Sequence, residues 1–201
     1  MEIYEFRGVE GLVYAEVLTD TTDAEGYTTG PVKELAGVAE IGKSTESSSE
    51  SHYYDNKPAI VVSAEGSDEV TLTVSAIPLD VLADITGKMY DATIGAMIDC
   101  QGERKYFAIG YKTKDTNGRE MYVWRLKGQF SIPDETYATE DDGTDANGQE
   151  LTYTGIYTTH AFTKGGPAKS VTVDVAKDLV DVSTFFNQVT TPDDLTPKEA
   201  G

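Results

Sequence analysis

The stretch VTLTVSAIPLDVLADITG, residues 70–87, changes period in its middle and so decides the fold class. Val70, Leu72, Val74 and Ala76 alternate with Thr71, Thr73 and Ser75. A period of two with one dry and one polar face predicts a half-buried strand. Pro78 ends that ladder and suits the first turn of a helix, where its missing N–H costs nothing. Leu79, Leu82 and Ile85 then follow at helical spacing, and Gly87 supplies a left-handed stop. A strand therefore feeds a short helix over about residues 78–87, placed to cover the dry face of a sheet.

On the N-terminal side, residues 59–64 (AIVVSA) and 70–76 are expected to form a hairpin around Glu65, Gly66, Ser67 and Asp68. Before it lies GKSTESSSESHYYDNKP, residues 42–58, rich in serine and without periodicity. Such a segment buries too little to offset its ordering entropy, so a mobile loop is expected. His52, Tyr53 and Tyr54 sit at its far end. The tyrosines either pack back on their own sheet or mark a contact with a partner. Further upstream, residues 11–18 read as a first strand and residues 32–41 as a weaker one.

On the C-terminal side, Phe107, Ile109 and Tyr111 alternate up to Asp115-Thr116-Asn117-Gly118, a hairpin turn whose Asn-Gly supplies positive φ. The return strand places Tyr122, Trp124 and Leu126 on an apolar face, opposite Arg119, Arg125 and Lys127. Residues 103–127 hold seven bases, with Arg104, Lys105, Lys112 and Lys114 among them, against three acids. The chain as a whole carries a net charge of −19. A cationic hairpin on an anionic body is a natural pairing surface for a second copy, and charged strands also protect sheet edges. We favour self-association, through Arg104, Lys112, Arg119, Arg125 and Lys127 together with His52, Tyr53 and Tyr54. Residues 151–162 and 171–175 read as further strands, and Ser183 as the N-cap of a short C-terminal helix carrying Phe185, Phe186 and Val189. The fold class expected is mainly β: an antiparallel sandwich or flattened barrel with one flanking helix. Residues 1–189 form one domain and residues 190–201 a flexible tail.

Composition narrows function. An excess of 35 acids over 16 bases disfavours free nucleic-acid binding, which depends on Lys and Arg neutralising phosphates. The charge serves solubility, or it repels a polyanion; composition does not separate the two. No run of apolar residues is long enough for a transmembrane helix, and the start MEIYEFRGVEG lacks the pattern of a signal peptide. With one cysteine there is no internal disulfide, which fits a reducing cytosol. Cys100 follows Asp99 and is expected to be a buried structural thiol. No GxSxG, phosphate loop, HExxH or CxxC occurs, and two histidines with one cysteine make a poor zinc set. An EF-hand register through Asp145, Asn147 and Gly148 puts Gly143 and Thr154 where carboxylates are required, so it fails. Neither a catalytic residue, a metal ligand nor a cofactor is therefore assigned. A sugar-binding platform of Trp124 and Tyr122 is the rival reading from another class; their place on the apolar face argues for core instead.

In order along the chain, FRGVEGLVYAEVL, GPVKELAGVAEI, the serine-rich stretch into HYYDNKP, VTLTVSAIPLDVLADITG, YFAIGYKTKDTNGREMYVWRLKGQFSIPDE and DVSTFFNQV resemble the major tail proteins of long-tailed phages of Gram-positive bacteria. The resemblance covers roughly residues 6–190. It implies a tail tube subunit that forms hexameric rings stacked into a hollow tube, assembled in the host cytoplasm and resident in the virion. The implied partners are other copies of the chain, a tape-measure protein, a tail tip and a tail terminator. DNA passes only as repelled cargo at ejection, and no membrane is involved. A tail terminator or completion protein is the nearest alternative. If the bore is lined by carboxylates and hydroxyls, the polar side of residues 59–76 is the lining expected: Ser63, Glu65, Glu69, Thr71, Thr73 and Ser75. The mobile loop would order on contact with the adjacent ring.

Overall fold

A computed structural model describes residues 3–23, 26–134 and 148–198. Asp145 and Asn147 of the rejected EF-hand register lie outside these. The described chain is mainly β, with eleven strands and one α-helix. The strands are β1 (Phe6–Asp20), β2 (Tyr27–Thr29), β3 (Lys33–Glu34), β4 (Val38–Tyr54), β5 (Lys57–Val74), β6 (Met89–Asp91), β7 (Ala96–Ile98), β8 (Phe107–Asp115), β9 (Glu120–Phe130), β10 (Gln149–Gly155) and β11 (Ser170–Asp174). The helix α1 (Leu79–Thr86) follows β5.

Nine strands make one antiparallel sheet, in the order β2-β1-β8-β9-β10-β5-β4 with β11 beside β9 and β3 beside β1. The far edge of β9 is shared. Residues 121–125 pair with β11 and residues 128–130 pair with β10. The sheet curls without closing. At its seam Leu35 N–H donates to Leu12 O and Ser75 N–H donates to Gly37 O, so residues 35–37 lie between β1 and the end of β5.

The concave face holds Leu12, Tyr14, Val70, Leu72, Val74, Phe107, Ile109, Phe130, Leu151 and Tyr153, capped by Leu82 and Ile85 of α1. The 70–87 expectation is met in its order of strand, Pro78, helix, and Gly87 as a left-handed cap at φ 71°, but the strand ends at Val74, and Ala76 and Leu79 are exposed. Gly87 is also required sterically, because a Cβ there would lie 2.1 Å from Glu103 O. Asp84 ties α1 down by accepting from the Tyr14 hydroxyl at 3.0 Å and from Lys33 Nζ at 2.6 Å. Burial, and then the Asp84 carboxylate, raise the Tyr14 phenol far above its ordinary range.

A second core sits on the opposite face, over β1, β8, β9 and β11, with Tyr27 of β2 packed against it. Ala15, Ala108, Trp124 and Leu126 are covered there by Phe162, Phe185 and Val189 of the C-terminal segment. The Trp124 indole N–H donates to Phe185 O at 2.8 Å, and Gly110 leaves it room, since a Cβ at that position would stand 2.9 Å from the ring.

Several expectations are corrected. Residues 42–58 are not a loop. They form most of β4, the two-residue turn Asp55-Asn56 and the start of β5. Both turn residues have positive φ, 50° and 59°, the requirement of a type I′ hairpin. The serine run showed no alternation because neither of its faces is buried. The turn expected at Glu65–Asp68 is instead a bulge within the continuous strand β5. Residues 183–189 make hydrogen-bonded turns rather than a helix. The 190–198 segment is held, with Thr190 buried, Thr191 and Asp194 capping a 3₁₀ turn, and Lys198 paired to Asp178 at 2.6 Å. Cys100 is exposed, because it lies beyond β7 in a segment outside both cores.

Candidate functional site: a bare anionic sheet face and its protruding arm

Strand register assigns every side chain of β10, β5 and β4 to a face. One face is the concave core. The other, beyond the reach of the C-terminal cover, presents Glu150, Thr152 and Thr154 from β10 and Glu69, Thr71 and Thr73 from β5. From β4 it presents Glu40, Ser44, Glu46, Ser48 and Glu50. Five carboxylates and six hydroxyls stand there without a lysine or arginine among them. The sheet is therefore covered on both faces at one end and bare on one face at the other.

The same strands run on as an arm. β10 pairs with β5 at residues 68–74, and beyond Asp68 the strands β4 and β5 pair, among the described residues, only with each other. Nine residues of strand from Glu46 to Tyr54 give a reach of roughly 30 Å at about 3.3 Å each. Ile60, Val61 and Val62 on the arm are 50–60% exposed, and Tyr53 and Tyr54 at its tip 65% and 62%. Ile60 and Val62 lie on the face of the acid ladder, opposite His52 and Glu50, whereas Val61 lies on the other, opposite Ser51. A lone two-stranded ribbon is marginal in water, and its two free edges each offer unpaired N–H and C=O groups.

The arm leaves the body at Gly66-Ser67, the two residues that oppose Glu46 alone in a bulge of β5. The bulge changes the parity of the strand. Thr45 faces Asp68 and Ser47 faces Glu65, so Glu65 and Ser63 fall on the concave side with Asp68. Of the six residues expected to form one lining, Glu69, Thr71 and Thr73 share the bare face. Ser63 and Glu65 are turned to the other. Ser75 lies past the end of β5, where its hydroxyl accepts from Gly37 N–H at 3.0 Å.

Below the bulge is a buried charge cluster that sequence reasoning missed. Asp68 accepts from Thr45 Oγ1 at 2.9 Å, Arg125 Nη1 at 3.0 Å and Lys169 Nζ at 3.3 Å, with Lys43 Nζ at 3.6 Å. Arg125 also donates to the Tyr111 hydroxyl at 3.2 Å, while its Nε is buried without a partner. Burial pushes the Asp68 carboxyl up, but Thr45, Lys169 and Lys43 more than offset this and hold it below the ordinary aspartate range. Burial likewise pushes the Lys169 ammonium down, and its bonds to Glu65 and Asp68 hold it above the usual lysine range.

The basic hairpin is not one solvated surface. Arg125 is buried on Asp68, and Lys127 is paired at 2.5 Å with Asp20, which also accepts from the N–H groups of Thr159 and His160. Both were expected at an inter-subunit surface. Both faces of β9 are covered, so bases there must find internal carboxylates. Lys105 pairs with Glu16, and Lys114 with Glu10 and Glu120. Lys112 lies over the Tyr122 and Phe186 rings, and Arg119 over Tyr4. Arg104 is exposed beside Lys88 and Lys105. Trp124 has no exposed surface and offers no sugar platform. Among the described residues no cluster of three His, Cys, Asp or Glu is placed to hold a metal ion, and no helix is long and apolar enough to cross a membrane. No family model and no curated protein matches this chain.

Proposed function

We propose that this chain is a structural subunit of a phage tail tube, the major tail protein of a long-tailed phage, which self-assembles into stacked hexameric rings through which DNA passes at ejection. One observation carries the reading: the bare, base-free face of β10, β5 and β4 leads, past the bulge at Gly66-Ser67, into an arm that pairs with no further strand among the described residues. Each half of that observation has its physical use in a tube. A wall of carboxylates and hydroxyls offers phosphates no cation to condense on, so DNA slides instead of binding. An arm with free edges and exposed Ile60, Val61, Val62, Tyr53 and Tyr54 is stabilised when a neighbouring copy covers it. The polymer removes edges that the lone subunit leaves open, without enlarging its core.

On this reading the arm makes the contacts between copies, with Arg104, Lys112 and Arg119 as the remaining candidates on the body. Tape-measure, tip and terminator proteins complete the assembly, which forms in the bacterial cytoplasm and ends in the virion. The subunit performs no chemistry and carries no cofactor. Negative-stain electron microscopy of purified protein over a concentration series tests this. Long hollow tubes at high concentration are expected. Single closed rings that never lengthen would favour a terminator, and globular monomers at every concentration would overturn the proposal.

A further inference from the structure

We infer that Lys169 fixes the direction in which the arm leaves the body and so prepares the subunit for self-association. The inference rests on the tail-tube reading for its consequence, though not for its geometry. Among the described residues no third strand holds residues 46–65, so the attitude of the arm is decided at its root. That root is a bulge, which bends and twists a ribbon but does not by itself lock it. Lys169 reaches across it from the residue before β11. Its Nζ lies 2.7 Å from Glu65 Oε1 on the arm side, 2.5 Å from Gly66 O within the bulge and 3.3 Å from Asp68 Oδ1 on the body side. An ammonium has three protons, and these acceptors take all three.

The position is costly for a lysine. Lys169 is only 8% exposed, with Nζ over the Tyr157 ring at 4.6 Å. Burying an ammonium is unfavourable unless its partners are fixed in place, so the grip and the bulge specify each other. Body integrity does not demand it. Asp68 is already held by Arg125 and Thr45, and residues 68–74 by the ladder to β10. What Lys169 adds is a grip on both Glu65 and Gly66 across the bulge, with the Tyr157 hydroxyl as a second body group on Glu65. It is a positioning residue, acting through the arm.

The test uses the full chain with spin labels at Ser49→Cys on the arm and Thr172→Cys on β11, in a Cys100→Ser background. In monomer below the assembly threshold, a single narrow inter-label distance distribution is expected. Lys169→Met should broaden it at least twofold and raise the threshold for tube formation about tenfold, with Trp124 fluorescence unchanged. An unchanged width in a folded Lys169→Met protein would overturn the inference, and broadening with an unchanged threshold would overturn the link to assembly. If Lys169→Met does not fold, Glu65→Ala replaces it, removing the arm-side acceptor at an exposed position. It should broaden the distribution to a smaller degree, and no broadening would again overturn the inference. If the unsubstituted chain forms no tubes, the tail-tube reading fails, and the label distances still decide the role of Lys169.

Discussion

Asp68→Asn removes one charge and almost no volume from the cluster under the arm, which makes its cost calculable from the structure. The Asp68 side chain is 4% exposed, against 9% for Arg125, 7% for Lys169 and 43% for Lys43. Lys43 is solvated and contributes little. Lys169 keeps Glu65 as a counter-charge. Arg125 keeps only the Tyr111 hydroxyl and is left as a buried, uncompensated cation. Removing one partner of a buried pair costs roughly 3–5 kcal/mol, and the asparagine oxygen still accepts a hydrogen bond, so about 3 kcal/mol is expected. For a chain of this size that lowers Tm by roughly 6–12 °C. Urea unfolding followed by Trp124 fluorescence measures the loss, since Trp124 is fully buried in the folded state. The difference should survive about 1 M salt, which screens exposed pairs but not buried ones. Asp68→Asn with Arg125→Met should lose less than the two single variants together, by roughly 1–3 kcal/mol of coupling. A loss below about 1 kcal/mol for Asp68→Asn, or one that disappears in salt, would show that the cluster is solvated and refute this account of the root.

Four further outcomes follow from the same geometry. Replacing residues 47–64 by Asn-Gly should leave body Tm within about 3 °C of the unmodified chain, because the arm adds no core contacts, and should abolish tubes in electron micrographs. Val61→Asp and Val62→Asp lie on opposite faces of the arm; each should leave the monomer folded by circular dichroism and each should raise the assembly threshold. Asp68 and Asp20 are both held below the ordinary aspartate range, so the stability they contribute is complete above about pH 4 and is lost as pH falls through their folded values. Acid titration of unfolding should show this limb, and it should be shallower in Asp68→Asn. Gly128→Ala puts a Cβ 2.3 Å from the Tyr153 ring and 2.5 Å from Thr154 O, so a loss of roughly 1–3 kcal/mol is expected in urea unfolding, and a neutral result would mean that β9 and β10 are not so closely apposed.

The residues that announced themselves are those with one dry face. Val70, Leu72 and Val74 alternate with threonines, and the strand, the helix after Pro78 and the Gly87 stop could all be located from that contrast. The 107–126 hairpin was legible for the same reason, helped by its Asn-Gly turn. The arm was not, because a ribbon solvated on both faces has no hydrophobic period. Its one local signal is Asp55-Asn56, two residue types that tolerate the positive φ of a type I′ turn, next to a serine run that carries no signal. Gly66 carries a turn signal in the sequence but marks a bulge in the fold, and that bulge reverses the facing of Ser63 and Glu65. The charge cluster had no sequence signal at all. Asp68, Arg125 and Lys169 are brought together only by the pairing of β5, β9, β10 and β11.

Exposed apolar side chains on both sides of the arm constrain how it can be covered. Val61 on one face and Ile60 and Val62 on the other cannot be buried by laying the ribbon flat on a single surface. Covering one face leaves the second in water, and covering an edge leaves both. Each fully buried Val or Ile is worth roughly 1.5–3 kcal/mol, so a flat contact forgoes a third to two-thirds of what these three residues offer. Insertion between two neighbours recovers all of it and pairs the free edges at the same time. The acid ladder of Glu46 and Glu50 opposes a close approach by another acidic surface, so the arm is kept from inserting into arbitrary partners. In the proposed tube this favours contact in which two copies are already in place, so growth on an existing ring is easier than the first encounter of two free subunits. A subunit with net charge −19 then stays dispersed until a nucleus presents the slot its arm requires.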